Sequence, residues 1–492
     1  MGKNQTKIIS VITVLMLLVS MFTLSVSAYD KDVILSSKVV VAYDVAQNIE
    51  PVKSNSVSYQ KAYNMAVDAI KNVETSVNVA SCNFSVNQMK ALCKDLIYKN
   101  PEFFYLDKSI AYNYYLSTNT VADITFNYLF TESEIIEKQK TIDKITDYVV
   151  YQTSNMKTDV EKALFVNDYL ALNCEYDNKV YEGLQASEMS YSMYGCLVDN
   201  LAVCQGYTLA YIYLLDKIGI ESVSVDSDSM NHVWNLVKID GYWYHVDVTW
   251  NDPVYDILGR VSHKNFLVSD KKISTNHEGY VTQYKASNSK YDTAFWQKVN
   301  SAIKYKDGYM YYFTDNKELI KRDYSKNTTE KIPYTDDTWY IGSEKKYFYP
   351  GNFARIVTDT NKIYYNTSKE IYSMNFDGSQ NKVIQIPTIQ SGRGIYGLGV
   401  VDGYLCYSTS TSPNEDDRIY KTNIKIEEKA PLMGDLNNDG VLTILDVFIF
   451  KNHFAGVLKL SESQIKAGDL SGDGAVRLID VFLLQRILAS VS

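Results

Sequence analysis

The run His232-Val233-Trp234-Asn235-Leu236-Val237-Lys238-Ile239, the pair Asp240-Gly241 and the run Tyr242-Trp243-Tyr244-His245-Val246-Asp247-Val248-Thr249-Trp250 read as one β-hairpin. Both arms are rich in β-branched and aromatic residues, and Asp-Gly suits a two-residue hairpin turn. Placing Ile239 opposite Tyr242 sets Trp234 opposite Asp247 and His232 opposite Thr249. Side chains alternate faces with period two, so His232, Trp234, Asp247 and Thr249 share one face. His232 and Asp247 are then diagonal neighbours, about 7–8 Å apart between backbones and within reach of a hydrogen bond. His245 shares that face further from His232.

Upstream, Cys204-Gln205-Gly206-Tyr207-Thr208-Leu209-Ala210-Tyr211-Ile212-Tyr213-Leu214-Leu215 predicts a helix that starts at Cys204 and ends by Gly219. A helix N-terminus carries about half a positive charge and free N–H groups, which favour thiolate. A thiolate nucleophile needs an imidazole to move its proton and a third group to fix the ring. The chain has five histidines, which narrows the choice of imidazole. Cys93 falls inside a helix pattern, Cys174 at a helix end and Cys406 inside a strand, all suited to burial. From spacing alone, a solvated His–Asp pair and a buried helix-start cysteine fit equally well.

A length of 492 residues suggests about three domains. With 23 Gly and 8 Pro the chain is neither collagen-like nor of low complexity, and 46% hydrophobic residues allow large cores. The net charge of −9, without a basic stripe, excludes a nucleic-acid partner. Lys3 and Lys7 precede an apolar run from Ile8 to Ala28 that closes on Val26-Ser27-Ala28, a small-x-small cleavage pattern. Residues 1–28 are therefore expected to be a signal peptide, with an uncleaved anchor as the alternative. After cleavage the protein is expected to be secreted and off the membrane. Residues 29–55 read as a poorly structured leader. The six cysteines fit neither a disulfide scaffold nor a zinc pattern.

Residues 56–295 read as an α+β domain. Helices are expected over Tyr59–Val73 and from Ser85 to Pro101, and strands over Ala111–Leu116 and Ile124–Phe130. Thr131-x-x-Glu134 and Thr158-x-x-Glu161 are capping boxes that open two further helices. Over 296–426 the texture becomes all-β and Tyr-rich, within a chain of 42 tyrosines. Asp307-Gly308-Tyr309-Met310-Tyr311-Tyr312, Lys362-Ile363-Tyr364-Tyr365 and Asp402-Gly403-Tyr404-Leu405-Cys406-Tyr407 resemble one another, which suggests propeller-like blades or β-hairpin repeats. Their tyrosines form either an exposed binding face or cross-strand packing. A linker over 427–433 precedes the last block, 434–492.

That block repeats one pattern: Asp435-x-Asn437-x-Asp439-Gly440-x-x-Thr443-x-x-Asp446 and Asp469-x-Ser471-x-Asp473-Gly474-x-x-Arg477-x-x-Asp480. Calcium takes hard oxygens from loop positions 1, 3, 5, 7 and 12, position 7 through its carbonyl. The expected ligands of two Ca2+ ions are Asp435, Asn437, Asp439, Val441, Thr443 and Asp446, and Asp469, Ser471, Asp473, Ala475 and Asp480. Ser471 and Arg477 leave the second loop fewer liganding oxygens. Short apolar helices are expected over Val447–Ala455 and Val481–Ala489, making a small all-α module.

The block resembles a dockerin, the calcium-dependent plug of cellulosome enzymes. Asp at position 12 and the absence of a long entering helix separate it from an ordinary EF-hand pair. The resemblance implies a cohesin partner on a scaffoldin, calcium-dependent folding, and partner contacts at loop positions 10 and 11, Ile444-Leu445 and Leu478-Ile479.

The order Gly195-Cys196, Ala202-Val203-Cys204-Gln205-Gly206-Tyr207, Met230-Asn231-His232-Val233-Trp234-Asn235 and Trp243-Tyr244-His245-Val246-Asp247-Val248-Thr249-Trp250-Asn251-Asp252 resembles bacterial transglutaminase-like domains. The flanking sequence from Tyr59 to Asp270 is similar to them too. The resemblance implies a papain-like fold, with Cys204 as nucleophile, His232 as general acid/base and Asp247 as the orienting carboxylate, and no catalytic cofactor. The backbone N–H of Cys204 is the first oxyanion donor, and the Tyr191–Tyr194 stretch is a candidate for the second. The expected activity is thioester-forming acyl transfer on peptide or carboxamide bonds, by hydrolysis or cross-linking, in a cellulosomal setting. The alternatives are a non-catalytic component that binds polysaccharide or protein through the β-repeats, and a glycosidase, for which no carboxylate pair stands out.

Overall fold

Ser56 accepts a hydrogen bond from Tyr59 N and opens the Val57–Lys71 helix. That helix buries Tyr59, Ala62, Ala66, Ala69 and Ile70, the three- and four-residue spacing of an apolar stripe. The computed structural model describes residues 34–40, 56–154, 156–180, 182–252, 254, 256–341, 347–349, 351–411, 419–426, 433–437, 442–460 and 462–491. The expected signal peptide, Asp439 and Val441 lie outside the described residues, as does nearly all of the expected linker.

The second helical segment begins with a 3-10 turn, Val86–Gln88, under a Ser85–Gln88 capping box, and continues as the Met89–Tyr98 helix, stopping short of Pro101. The strands that follow are Ser109–Tyr115 and Thr120–Thr125. The second starts and ends earlier than the predicted Ile124–Phe130. Phe126 N turns instead to Thr75 O, which ends the pairing with Ser109–Tyr115. A further correction concerns the expected leader. Ile34–Val40 is an antiparallel strand on Ser109–Tyr115, from Ile34 opposite Tyr115 to Val40 opposite Ser109. Residues Ile34 to Lys38 are exposed, so this edge strand carries no alternation of burial that its sequence could display.

Both predicted capping boxes form. Thr131 opens Glu132–Thr153 and Thr158 opens Asp159–Asn173, each with its hydroxyl accepting from the third helical N–H and the Glu side chain returning to the cap N–H. The Cys204–Lys217 helix is buried on all its residues from Gly206 to Leu215. It packs on an antiparallel sheet of Phe266–Val268, Tyr242–Val246, His232–Ile239 and Ser222–Ser227, in that order. Two buried polar contacts fasten helix to hairpin: Thr208 Oγ1 donates to Val233 O at 3.1 Å, and Asn235 Nδ2 donates to Thr208 O at 3.1 Å. Gly206 is required where the helix meets the 190–192 backbone, since a Cβ there would lie 2.6 Å from Ser190 O.

Ile239 pairs with Tyr242 and Asn235 with Val246, the register read from the turn. The return arm ends at Val246, short of the predicted Trp250. Asp247 instead caps the short Val248–Asn251 helix by accepting from Trp250 N.

Among the described residues, the Tyr-rich region forms a two-stranded sheet of Tyr340–Ile341 and Tyr347–Phe348 and three antiparallel meanders. The first is Lys304–Lys306, Tyr309–Phe313, Leu319–Asp323 and Thr328–Ile332; the second Ile356–Thr358, Lys362–Asn366, Ile371–Asn375 and Lys382–Gln385; the third Gly394–Val401, Tyr404–Ser410 and Ile419–Lys425. No closed propeller or barrel is found among the described residues. Tyr311, Tyr312, Tyr364, Tyr365 and Tyr372 are buried, so these tyrosines act in packing between strands and sheets. The first meander also shares the main core: Met310, Tyr312 and Ile320 pack with Trp296, Tyr244 and Leu164 in one continuous cluster.

A buried ion pair reinforces that junction. His263 Nε2 lies 2.8 Å from Asp168 Oδ1 and its Nδ1 lies 3.0 Å from Val299 O, while Asp168 Oδ2 accepts from Ile303 N at 2.7 Å. Burial opposes charge on His263, but Asp168 outweighs it and raises the pKa.

Among its described residues the C-terminal block has three helices where two were expected: Ile444–Phe454, Glu462–Gly468 and Leu478–Val491. The second contributes Ala467 to a small core with Leu436, Val447, Phe450, Val481 and Leu484, and its Lys466 pairs with Asp147 on the Glu132–Thr153 helix. No helix among the described residues is long and apolar enough to cross a membrane.

Candidate active site

Three segments meet at one point: the start of the Cys204–Lys217 helix, the start of the His232–Ile239 strand and the residue just past Tyr242–Val246. His232 Nε2 lies 2.8 Å from Asp247 Oδ2, which leaves Nδ1 for the thiol of Cys204, itself within hydrogen-bonding reach of the ring. Asp247 is fully buried and His232 nearly so. Cys204 is half-buried, whereas the other five cysteines are buried.

The electrostatics follow from this enclosure. Burial disfavours the imidazolium, yet the Asp247 charge and hydrogen bond, aided by Cys204, lift the His232 pKa to about 10. Burial likewise penalises the Asp247 carboxylate, but His232 and His277 hold its pKa down at about 2.

His277 is the residue that sequence reading missed. Its Nε2 lies 2.8 Å from the same Asp247 Oδ2, and its Nδ1 lies 2.7 Å from Asn276 Oδ1. Asn276 in turn donates to Asn265 Oδ1 at 3.2 Å. His277 stands in a loop after the Asp270–Ile273 helix, with no periodic pattern to mark it; the only signal available was the scarcity of histidines. His245, on the shared hairpin face, turns away: Trp234 Nε1 donates to its Nδ1 at 2.9 Å and its Nε2 faces Asp270 Oδ1 at 3.0 Å.

Aromatic rings wall the pair. Trp234 stacks on His232 at 5.6 Å between centroids, and the exposed Trp250 covers His277 at 4.4 Å and His232 at 5.7 Å. His232, Asp247 and His277 bring their ligand-capable atoms within 4.8 Å of one another. Separations of 2.8 Å are hydrogen-bond distances, shorter than the roughly 3.3 Å between neighbouring ligand atoms of one tetrahedral zinc bound at about 2.0–2.1 Å. In the stretch considered for the second oxyanion donor, Tyr191 O accepts from Gln205 Nε2 at 3.0 Å, so this carbonyl is held by the residue beside the thiol.

The two Asp-rich loops are closed alike. Asp446 Oδ1 accepts from Leu436 N at 2.8 Å and Asn437 N at 3.1 Å, and its Oδ2 accepts from Thr443 N at 2.8 Å. Asp480 Oδ1 accepts from Ser471 N at 2.8 Å and Oδ2 from Arg477 N at 2.6 Å. Asp469 accepts from Asp473 N and Gly474 N, at 3.0 and 2.7 Å. This folded loop of hard oxygens suits calcium, which would neutralise carboxylates crowded in one turn. Asp469, Ser471, Asp473, the Ala475 carbonyl and Asp480 would hold it in the second loop, and Asp435, Asn437, Thr443 and Asp446 are the described counterparts in the first. Arg477 Nη1 lies 2.6 Å from Asp473 Oδ2 and so competes for that carboxylate. Ile444, Leu445, Leu478 and Ile479 are exposed, and Phe448 and Phe482 of the repeated Asp-Val-Phe join them at 60% and 56% exposure.

Comparison with known proteins gives two family matches: the transglutaminase-like superfamily over residues 146–248 and the dockerin type I domain over residues 433–489. Cys204, His232 and Asp247 fall inside the first match, and His277 lies beyond it. Among solved structures, a TGase is similar at 15% identity over 26% of this chain and 41% of its own, with a TM-score of 0.22. A cysteine protease candidate from Cytophaga hutchinsonii is similar at 16% identity over 38% and 60%, with a TM-score of 0.19. A protease candidate from Parabacteroides distasonis is similar at 8% identity over 29% and 36%, with a TM-score of 0.16. The chain thus spans from 36% to 60% of these chains. None of the curated proteins compared with the chain matches it. The chain therefore carries a transglutaminase-like domain over residues 146–248 and, over residues 433–489, a type I dockerin domain.

Proposed function

We propose that the protein is a secreted, cysteine-dependent acyl-transfer enzyme that docks on a scaffoldin cohesin through two calcium-loaded loops. One observation carries the catalytic reading: a half-exposed thiol at a helix start stands beside an imidazole whose far nitrogen is 2.8 Å from a buried carboxylate. The family match over the same residues supports it.

The chemistry follows from those groups. The thiol proton passes to His232, and the Cys204 thiolate attacks the carbonyl carbon of a peptide or carboxamide. The tetrahedral oxyanion is met by the Cys204 N–H, one of the helix-start donors that lack an intrahelical acceptor. His232 returns its proton to the leaving amine, and the C–N bond breaks to leave a thioester. Water or an incoming amine, deprotonated by His232, then attacks the thioester and releases the thiolate. Asp247, held ionised, stabilises the imidazolium through both halves. The exposed Ile444, Leu445, Leu478 and Ile479 supply the apolar docking contact expected of the cohesin face.

Incubation of wild type and Cys204→Ala with a protein mixture tests the reading. New N-termini, released ammonia or incorporated amine that vanish in the variant support it. Equal product from both proteins overturns it.

A further inference from the structure

The second and third meanders enclose a guanidinium for which the fold supplies too few partners. Arg355 is 0% exposed and stands just before the Ile356–Thr358 strand. Its Nη1 donates to Ala354 O at 3.3 Å, but Nε and Nη2 are buried and have no hydrogen-bond partner. Among the described residues no carboxylate is paired with it. Its surroundings are aromatic: the guanidinium lies 5.0 Å from the Tyr396 ring centroid, and Tyr396 packs with Trp339, Tyr349 and Phe353. The Tyr349 and Tyr396 hydroxyls are 3.5 Å apart. Trp339 Nε1 is a second buried donor without an acceptor in the same cluster.

A second cation, Arg260, approaches the cluster with the Asp252 carboxylate close enough to answer its charge. Burial depresses the Arg355 pKa, the Tyr396 hydroxyl offsets part of this, and the positive Arg260 depresses it further. Arg260 reaches the cluster on the loop after the Val248–Asn251 helix, where Leu398 N donates to Leu258 O at 2.9 Å. Gly259 has φ +79°, and a Cβ there would sit 2.0 Å from Leu398 O, so the close approach needs glycine. Guanidinium stays protonated at any ordinary pH, and a ring face returns only part of the hydration lost on burial. Arg355 therefore keeps two buried N–H groups without an acceptor and, among the described residues, no paired carboxylate.

We propose that this aromatic cluster binds a small inorganic anion of chloride size, to which Arg355 Nε–H and Nη2–H donate where the loop after the proposed catalytic carboxylate meets the third meander. Enclosure sets the size: Arg355, Trp339 and Tyr396 are at most 3% exposed, so a bulky organic acid is excluded.

The test is thermal melting of the full chain in sodium chloride and in sodium gluconate at equal ionic strength. Chloride is expected to raise Tm saturably by about 3 °C over gluconate, bromide to replace it, and Arg355→Met to abolish the difference. Equal melting of the wild type in both salts overturns the proposal, and so does a chloride effect that persists in Arg355→Met. Should that variant fail to fold, crystals of the wild type grown in bromide decide the matter. An anomalous peak within about 3.5 Å of Arg355 Nη2 is expected, and its absence refutes the site.

Discussion

His277 Nε2 stands 2.8 Å from Asp247 Oδ2, the carboxylate oxygen that also faces His232. The proposed orienting carboxylate is therefore held from two sides, by the His232 ring and by a second ring fixed through Asn276. Both ring nitrogens of His277 are engaged, one by Asp247 and one by Asn276, so its role is to position Asp247. Its loss lets the carboxylate rotate, and small misplacements in such sites are costly. His277→Ala is expected to lower kcat about 10- to 100-fold with KM little changed, and His277→Gln, which keeps a donor, to recover part of it. Unchanged kcat in a folded His277→Ala protein would refute the positioning role.

Cys204 is half-buried while the other five cysteines are buried. Iodoacetamide is expected to alkylate one residue, Cys204, in the native protein, identified by peptide mass. His232→Ala should slow that reaction by about 100-fold, because the imidazole no longer takes the thiol proton. Equal labelling rates in the two proteins would remove His232 from the site.

The two shifted groups define a pH window. The His232 pKa is raised from 6.5 to about 10, so its contribution to stability is fully present below 6.5 and is lost as pH rises toward 10. Asp247 is lowered from 3.8 to about 2, so its contribution is present above 3.8 and is lost as pH falls toward 2. The Tm gap between wild type and Asp247→Asn should be widest between pH 3.8 and 6.5 and narrow on both sides. A gap that does not vary with pH would count against the ionised pair.

Arg477 lies 2.6 Å from Asp473 in the second loop, where the first loop has Thr443. Removing one positive charge at about 4 Å in water is worth about 1 kcal/mol. Arg477→Thr is therefore expected to tighten calcium binding by the second loop about five- to tenfold in titration calorimetry. An affinity that stays the same or weakens would show that the arginine does not oppose the ion.

Much of the thiol-bearing half was legible because local rules and tertiary structure agree there. Thr131 and Thr158 mark two helix starts through side chains that answer orphan N–H groups, and Asp240-Gly241 sets the hairpin register. Cys204 as a helix start was equally readable, since an apolar run from Leu209 to Leu215 follows within a turn and a half. The limits have physical causes. Asp247 was assigned to a strand, but an aspartate followed by a free turn can cap a helix just as well, and it does. Ile34–Val40 pairs through its backbone with its side chains mostly in solvent, so nothing in its pattern announces the sheet. The three-fold likeness of the Tyr-rich units was visible, but blade closure depends on how whole sheets pack, which repeat spacing does not encode. His277 gains its place only after the chain after the hairpin folds back across Asp247.

The His263–Asp168 pair, with its links to Val299 O and Ile303 N, bears on how this protein can be dissected. A fragment cut after residue 295 would strip two backbone partners from a fully buried charge pair and open the core at Ile303 and Tyr312. Recombinant work on the thiol-bearing half should therefore carry the first Tyr-rich meander along, because protease trimming at that seam would yield an insoluble product rather than a minimal enzyme.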